Sequence, residues 1–569
     1  MRKLKDSFVE RNARDRAKAL LDSGTFRELL GPFEKIESPH LEPQGIVPQC
    51  DDGVVIARGL ILGGQAVVIS LEGAFQGGGI GEVSGAKIAG ALELAVRDNE
   101  RGVKTRAVII LDSGGVRLQE ANYGLLSISE IQSAIVALRN YVPVVGVIPG
   151  KIGCFGGMSM TAGLFSTIII TREGRMTLNG PEVIEQEAGI AEFDSKDKQL
   201  IWSTVGGAQR QATGFADVLV EDDTTDIVEA VQAAVKSEKH SEHRSSQVDL
   251  YLSRLKKIDP SKPLDPMKLR EMWVQDNGSQ KAKSKVVKKE EENELNNEKV
   301  MSRGRIWFED LTGISNPKVG DVPSVLCADA MLGNELVRYI AVVPNPNNRF
   351  PRVRHGEVGL EEGWTIGKFI REAMAEDANK EKRRPIIAVV DVPSQAYGYK
   401  EELLGIFQSC AGAVDAYATA RYAGHPVISL IVGSAISGAF LAHGYQANRM
   451  IALDDPGVLV HAMSKQSAAR VTKRSVEELE EAAKTVPSIA YDIRSYSTLG
   501  SLEELVSGIN ADAPEADDIQ NIKDKLSKAI EITRTSAIRD LSNRFTSEKA
   551  IVGRAASIKV RNRLKEEWN

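Results

Sequence analysis

The sequence predicts an α/β protein made of two similar halves, each alternating buried strands with helices around a largely parallel sheet. Three observations predict it. First, β-branched runs recur as buried strands: "YVPVVGVIP" before Gly150 and "HPVISLI" before Val432. Second, each run leads through small residues into a helical stretch, "GKIGCFGGMSMTAG" (150–163) and "VGSAISGAFLAHG" (432–444). Third, landmarks repeat at nearly constant spacing. Asp112 pairs with Asp391, Pro143 with Pro426 and Gly157 with Ala439, at offsets of 279, 283 and 282 residues.

The chain of 569 residues is too long for one ordinary domain. The halves span 1–270 and 301–569. Between them "NGSQKAKSKVVKKEEENELNNEKV" carries a basic block, then an acidic one. Such a segment buries too little apolar surface to offset ordering, so 271–300 reads as a charged linker. Apolar residues make up 42% and charged residues 26%, the balance of a soluble globular protein. With a net charge of −6 and scattered Lys and Arg, nucleic acid is excluded as a main partner. No apolar run approaches the ~18 residues of a membrane span. The basic N-terminus lacks a signal-peptide core, and Asp6, Glu10 and Asp15 argue against a transit peptide. Four cysteines with no CxxC pair exclude a CxxC zinc ribbon and any disulfide framework. A reducing cytoplasm fits. The C-terminal stretch from "ADDIQNIKDKL" onward is helical and amphipathic, expected to cover its own half.

A helix N-terminus offers unpaired N–H groups and partial positive charge, and small residues there admit close approach. "FGG" opens "MSMTAGLF" and "SGA" opens "FLAHG"; the loops "DSGGVR" and "DVPSQAYG" also follow buried strands and bend at small residues. Two such loops side by side can aim N–H groups at one oxygen, an arrangement suited to a thioester enolate. Any one glycine motif is also what a tight strand-to-helix turn needs. The recurrence in both halves is what points to function. No GxGxxG follows the first strand of a half, and no GxxxxGK[ST] occurs.

At these residues the first half resembles the β chain of biotin-dependent carboxyltransferases, and more closely the β subunit of malonate decarboxylase. The matching stretches are "LLDSGTFREL", "GIVPQCDDGVV", "FQGGGIGEVSGAKIAGALELA", "LDSGGVRLQE", "GCFGGMSMTAG" and "LNGPEVIEQ". The second half resembles the malonate decarboxylase γ subunit through "SRGRIWFEDLTG", "PNPNNRFPRVRHGEVGLEEGW", "DVPSQAYG", "GSAISGAFLAHG" and "VHAMSKQSAARVTKRS". The resemblance covers most of 15–235 and 302–510. It implies two crotonase-like (ClpP/crotonase, carboxyltransferase-type) βαβ superhelical domains sharing a site where the halves meet. It implies decarboxylation of a malonyl thioester to an acetyl thioester and CO2. No cofactor is implied as covalently bound; an acyl-carrier subunit supplies a CoA-like prosthetic arm, and an acetyl-S-ACP:malonate ACP transferase subunit completes an oligomeric complex. Oxyanion positions carry over to Gly115–Val116 and Gly156–Gly157, and in the second half to Gln395 and Gly438–Ala439. Ser394 departs from the glycine usual in carboxyltransferases.

Around these loops Arg349 and Arg352 are candidates to hold the malonyl carboxylate, since arginine suits bidentate carboxylate binding; a tight pair would slow decarboxylation, so neutral donors also fit. Tyr123, Tyr397, His443 and His461 are candidates to supply the proton. His443 falls one turn after Gly438–Ala439. Cys154 is expected to pack, and Glu182 and Glu185 to serve as carboxylates in a helix's first turn after Pro181. Two other readings share the motifs: a carboxyltransferase moving CO2 between carboxybiotin and an acyl thioester, and a non-catalytic scaffold for the carrier. The match of the second half to the γ subunit weighs against the first, and intact glycine loops in each half against the second.

Overall fold

The computed structural model describes residues 5–237, 242–279, 299–315, 317 and 321–569. Most of the expected linker, 280–298, lies outside the described residues; its start, 271–279, completes the helix Pro266–Ser279.

Among the described residues the first half holds nine strands: β1 (Arg27–Leu29), β2 (Val54–Ile61), β3 (Gly64–Leu71), β4 (Arg106–Ile110), β5 (Val144–Ile148), β6 (Cys154–Phe155), β7 (Thr167–Thr171), β8 (Met176–Thr177) and β9 (Val218–Val220). Seven form one sheet in the order β1-β2-β3-β4-β5-β7-β9, parallel from β3 onward; β6 and β8 pair separately. The second half holds β10 (Val325–Leu332), β11 (Glu335–Val342), β12 (Ile386–Val392), β13 (Val427–Ile436), β14 (Arg449–Leu453), β15 (Leu459–His461) and β16 (Glu504–Val506). Its sheet runs β10-β11-β12-β13-β14-β16, with β15 on the far end of β13. The antiparallel hairpin β10/β11 feeds the parallel series β11-β12-β13-β14, as β2/β3 feeds its own. Two α/β halves with similar sheets, as expected from the sequence, are therefore present.

Strands β4, β5, β7 and β12 are buried on both faces, hence their unbroken apolar runs. In each half one long helix crosses over before β4 or β12 (Glu82–Glu100; Leu360–Glu376), and another before β5 or β13 (Ala121–Leu138; Ile406–Tyr422). The second pair lies at the seam between halves. Every residue of Ala121–Leu138 is buried, because its own half covers one side and the other half the rest. Glycines let the helices within each half approach closely: a Cβ on Gly85 would meet Ser127 Cβ at 2.2 Å, and one on Gly363 would meet Ser409 Oγ at 2.5 Å.

Terminal segments cross the seam. Helix Val248–Lys256 packs on Leu360–Glu376, with Tyr251 stacked on Trp364 at 4.6 Å. The C-terminal region divides its allegiance, contrary to the sequence expectation. Helix Ala516–Thr535 covers its own sheet, but Ala555–Glu567 packs along Glu82–Glu100 of the first half. Charge explains this. Arg554 and Arg561 reach the buried Glu130 at 2.9 and 2.8 Å, and Ser557 N–H donates to Glu82 at 2.9 Å. Arg139 forms a buried pair with Asp415 of the second half. Among the described residues no helix is long and apolar enough to cross a membrane.

Candidate active site

The site grows from the C-terminal ends of β4 and β5. Past β4, Asp112 accepts the N–H groups of Ile152 (2.6 Å) and Gly153 (3.1 Å) through Oδ1, and Arg16 Nη1 holds its Oδ2 at 2.9 Å. Ser113 N–H donates to Gly153 O, and Phe155 N–H donates back to Ser113 O. The two loops are thus zipped backbone to backbone; a Cβ on Gly115 would lie 3.2 Å from Gly156 Cα. Gly115 and Gly156 both adopt positive φ, +101° and +58°. These turns spend some N–H groups and free others. Gly115 N–H donates to Ser113 Oγ (3.1 Å), and Gly156 N–H to Leu178 O (3.2 Å). The next N–H in each loop, of Val116 and of Gly157, has no partner among the described residues. Gly157 begins the helix Gly157–Ala162, so its N–H carries the positive end of the helix dipole.

The second half repeats the construction. Asp391 accepts Ser434 N–H at 3.1 Å and Gly304 N–H at 3.0 Å. Val358 brackets Gln395 as Ile80 brackets Val116, through parallel bridges. Ser437, at φ +60°, stands where Gly156 stands, and Gly438 where Gly157 stands. The equivalence read from sequence shifts by one residue: Ala439 is wholly buried and does not face the site. The halves differ at one point. Gly438 N–H is occupied, donating to Gln395 Oε1 at 2.9 Å. The side chain in the equivalent place, Val116, has no acceptor.

Both loop pairs open into one cavity of about 440 Å³ between the halves. The two short helices meet there: a Cβ on Gly157 would be 2.9 Å from Leu441, and one on Gly438 3.3 Å from Leu178. Leu118, Leu125, Leu178, Val183, Leu441 and Met463 make most of the wall apolar. Among the described residues its titratable groups are Glu182 and Tyr397, and no Lys, Arg or His lines it. Asn179 stitches the floor across the seam. Its backbone N–H donates to Glu402 (2.6 Å), its amide to Ala396 O (2.9 Å), and its Oδ1 accepts from Gln395 Nε2 (2.8 Å). Tyr397 lies against Ser437 and Gln395, and burial raises its hydroxyl above the ordinary tyrosine value.

The chain is similar to known proteins. The family model for the malonate decarboxylase gamma subunit matches residues 353–568. Over 281 residues the chain is 38% identical to the malonyl-S-ACP:biotin-protein carboxyltransferase MADC of Malonomonas rubra, covering 47% of this chain and 88% of that protein. The chain belongs to the malonate decarboxylase carboxyltransferase family. A second match, 36% identical over 192 residues, is to MADD of the same organism and covers 33% of this chain and 66% of that protein. Two subunit types are thus fused here in one polypeptide. A chain of a Pseudomonas malonate decarboxylase hetero-tetramer in complex with malonate is 56% identical, covering 47% of this chain and 98% of that one, at a TM-score of 0.47.

For a malonate decarboxylase chain, several sequence candidates fall away from the cavity. His443 is fully buried. Its Nε2 donates to Val389 O (3.1 Å) and its Nδ1 accepts from Tyr417 (3.0 Å), while burial lowers its pKa to about 4. Both nitrogens are engaged and the ring is neutral, so it packs and donates no proton to the cavity. His461 is likewise buried and lowered to about 4. Tyr123 gives its hydroxyl to Gly553 O and stacks on His40, tying down the C-terminal segment. Arg349 binds Glu361 (2.6 Å) and the carbonyls of Ile258 and Leu255, so it fastens a crossing segment. Arg352 reaches Glu192 at 3.1 Å. Neither arginine lines the cavity. Gly115's own N–H is spent, which leaves Val116 as that loop's donor. Cys154 is buried, and burial raises its thiol, as packing requires. Leu178, Asn179 and Val183 were missed because their role comes from the seam. Their stretch "LNGPEVIEQ" carries no chemical signature beyond a helix start.

Proposed function

We propose that this chain decarboxylates a malonyl thioester, carried on an acyl-carrier subunit, to the acetyl thioester and CO2. The observation that carries the reading is that Val116 and Gly157, whose N–H groups have no partner among the described residues, line a mostly apolar cavity to which no described Lys, Arg or His contributes. The malonyl carboxylate, placed against leucine and valine side chains, loses solvation and gains no counter-ion. Its charge is dispersed as the bond to C2 breaks, so such surroundings favour the transition state. The released electron pair moves onto the thioester oxygen, where the two N–H groups accept the growing charge. One such donor contributes about 3 kcal/mol. Carbon C2 then takes a proton, and the proposed donor is Tyr397, which lines the cavity. Its raised pKa keeps it protonated at neutral pH.

The same reading gives the chain its partners: the acyl-carrier subunit with its CoA-like arm, and an acetyl-S-ACP:malonate ACP transferase, in an oligomeric cytoplasmic complex. The test is product analysis on malonyl thioester, on carrier and as CoA, with avidin present to remove biotin. Acetyl thioester and CO2 in equal amounts support a biotin-independent decarboxylase. Turnover that requires added biotin moves the assignment to carboxyl transfer, the activity named for the Malonomonas relatives.

A further inference from the structure

We propose that the Gln395 side chain closes the second half's oxyanion position, so that the cavity holds one carbonyl, the thioester, and the carboxyl group leaves as CO2 instead of passing to a urea or amide acceptor. The inference rests on the thioester chemistry proposed above. It starts from the asymmetry between the halves. The backbone is duplicated: Val116 and Gln395 occupy the same bridge position, and Gly157 and Gly438 each follow a positive-φ residue in the first turn of a short helix. A duplicated backbone offers two places for a carbonyl oxygen, both facing one cavity of about 440 Å³. In the first half valine leaves the N–H of Gly157 open. In the second, glutamine supplies an internal carbonyl at 2.9 Å, the distance an incoming ligand oxygen would take.

The glutamine is held in that orientation. Ala396 O can only accept, so Asn179 turns its NH2 toward that oxygen and its Oδ1 toward Gln395. Gln395 must then present Nε2 to Asn179 and Oε1 to Gly438. Asn179 itself is anchored by Glu402, which accepts both Leu178 and Asn179 N–H groups at 3.2 and 2.6 Å. Gln395 is 4% exposed, so in place its amide is satisfied by protein groups and not by water. A carbonyl that displaces the Gln395 side chain would gain one hydrogen bond to Gly438 and break two, leaving the Gln395 amide and Asn179 Oδ1 without those partners. The plug therefore favours exclusion.

With the plug removed, an acceptor with a cyclic urea can enter. The bond from C2 to the carboxyl carbon then breaks with its electron pair staying on C2. The carboxyl carbon bonds to the urea nitrogen, and the proton from that nitrogen passes to C2; nothing is oxidised or reduced. Free biotin serves as the probe. The full-length chain and its Gln395→Val variant, which copies the first half, are given malonyl-CoA labelled in the free carboxyl group, with and without biotin. Acetyl-CoA, CO2 and acid-labile carboxybiotin are measured together. Wild type is expected to release the label as CO2 at a rate indifferent to biotin. Gln395→Val is expected to divert label to carboxybiotin saturably, at least tenfold more than wild type. Equal diversion by both proteins, or none by either, overturns the proposal. Should Gln395→Val not fold, Gln395→Asn, too short to span Gly438 and Asn179 together, takes its place. Calorimetric titration with biotin alone gives an independent readout: binding by the variant and not by wild type is expected, and equal affinity refutes the plug. Absence of acetyl-CoA from wild type would count against the decarboxylase reading, while the titration would still decide the plug.

Discussion

Replacing Gly156 with alanine separates the proposed donor geometry from the space around it. Gly156 sits at φ +58° and ψ −143°, a conformation nearly closed to residues with a Cβ. Space is the lesser obstacle: the nearest atom to an added Cβ is Gly115 Cα at 3.3 Å, which must give slightly, and the next is Gly114 O at 3.7 Å. The cost is torsional, about 1–3 kcal/mol if the backbone stays in place. The alternative is for the peptide between 156 and 157 to rotate, and that peptide carries the Gly157 N–H. Rotation relieves the strain and swings the donor off the cavity. Losing one donor costs about 3 kcal/mol of barrier, or roughly a hundredfold in kcat. The assay pairs the initial rate of acetyl-thioester formation with thermal unfolding. The expected result is a folded protein, lowered by a few degrees in Tm, with kcat down by about two orders of magnitude. A folded Gly156→Ala enzyme with kcat within about threefold of wild type would show that the Gly157 N–H stabilises no charge in the rate-limiting step.

Three further outcomes are expected. Tyr397→Phe lowers kcat by about 10²–10⁴-fold, and the wild-type rate stays level on the alkaline side to about pH 9, because burial raises the Tyr397 hydroxyl; an alkaline fall in kcat centred below that range assigns the proton to another group. Buried Glu362, which accepts from Ser324 at 2.6 Å and Asn348 at 2.9 Å, is pushed up to about 7. A carboxyl raised on folding stabilises the fold below its unfolded pKa and loses that contribution as pH rises through 7. Glu362→Gln should therefore gain on wild type by about 3 kcal/mol between roughly pH 5 and pH 8, read as a growing Tm difference; a difference independent of pH contradicts the sign. Arg554→Leu removes one of the two arginines on buried Glu130, Arg561 remaining, and is expected to cost about 1.5–3 kcal/mol; denaturant unfolding with a loss under about 1 kcal/mol would show that the C-terminal clasp does not bear on stability.

The duplication was legible from the sequence, because it is written in local features. β-branched runs, the aspartates after them and the small residues at each strand-to-helix turn repeat at nearly fixed offsets. Five of the candidates read from the sequence, Val116, Gly157, Gln395, Tyr397 and Gly438, line one cavity. What the tertiary structure decided is which group in that neighbourhood is free. Gly115 and Gly156 looked as good as their neighbours until Ser113 Oγ and Leu178 O took their N–H groups. Gly438 looked equivalent to Gly157 until Gln395 closed it. His443, one turn from the loop in sequence, faces Tyr417 and Val389 inside the core, and Arg349 and Arg352 spend their charge on Glu361 and Glu192. The reason is physical. Strand, turn and helix follow from neighbours a few residues away, whereas the partner of a hydrogen-bond donor or a charge comes from whatever distant segment the packing of the two halves brings beside it.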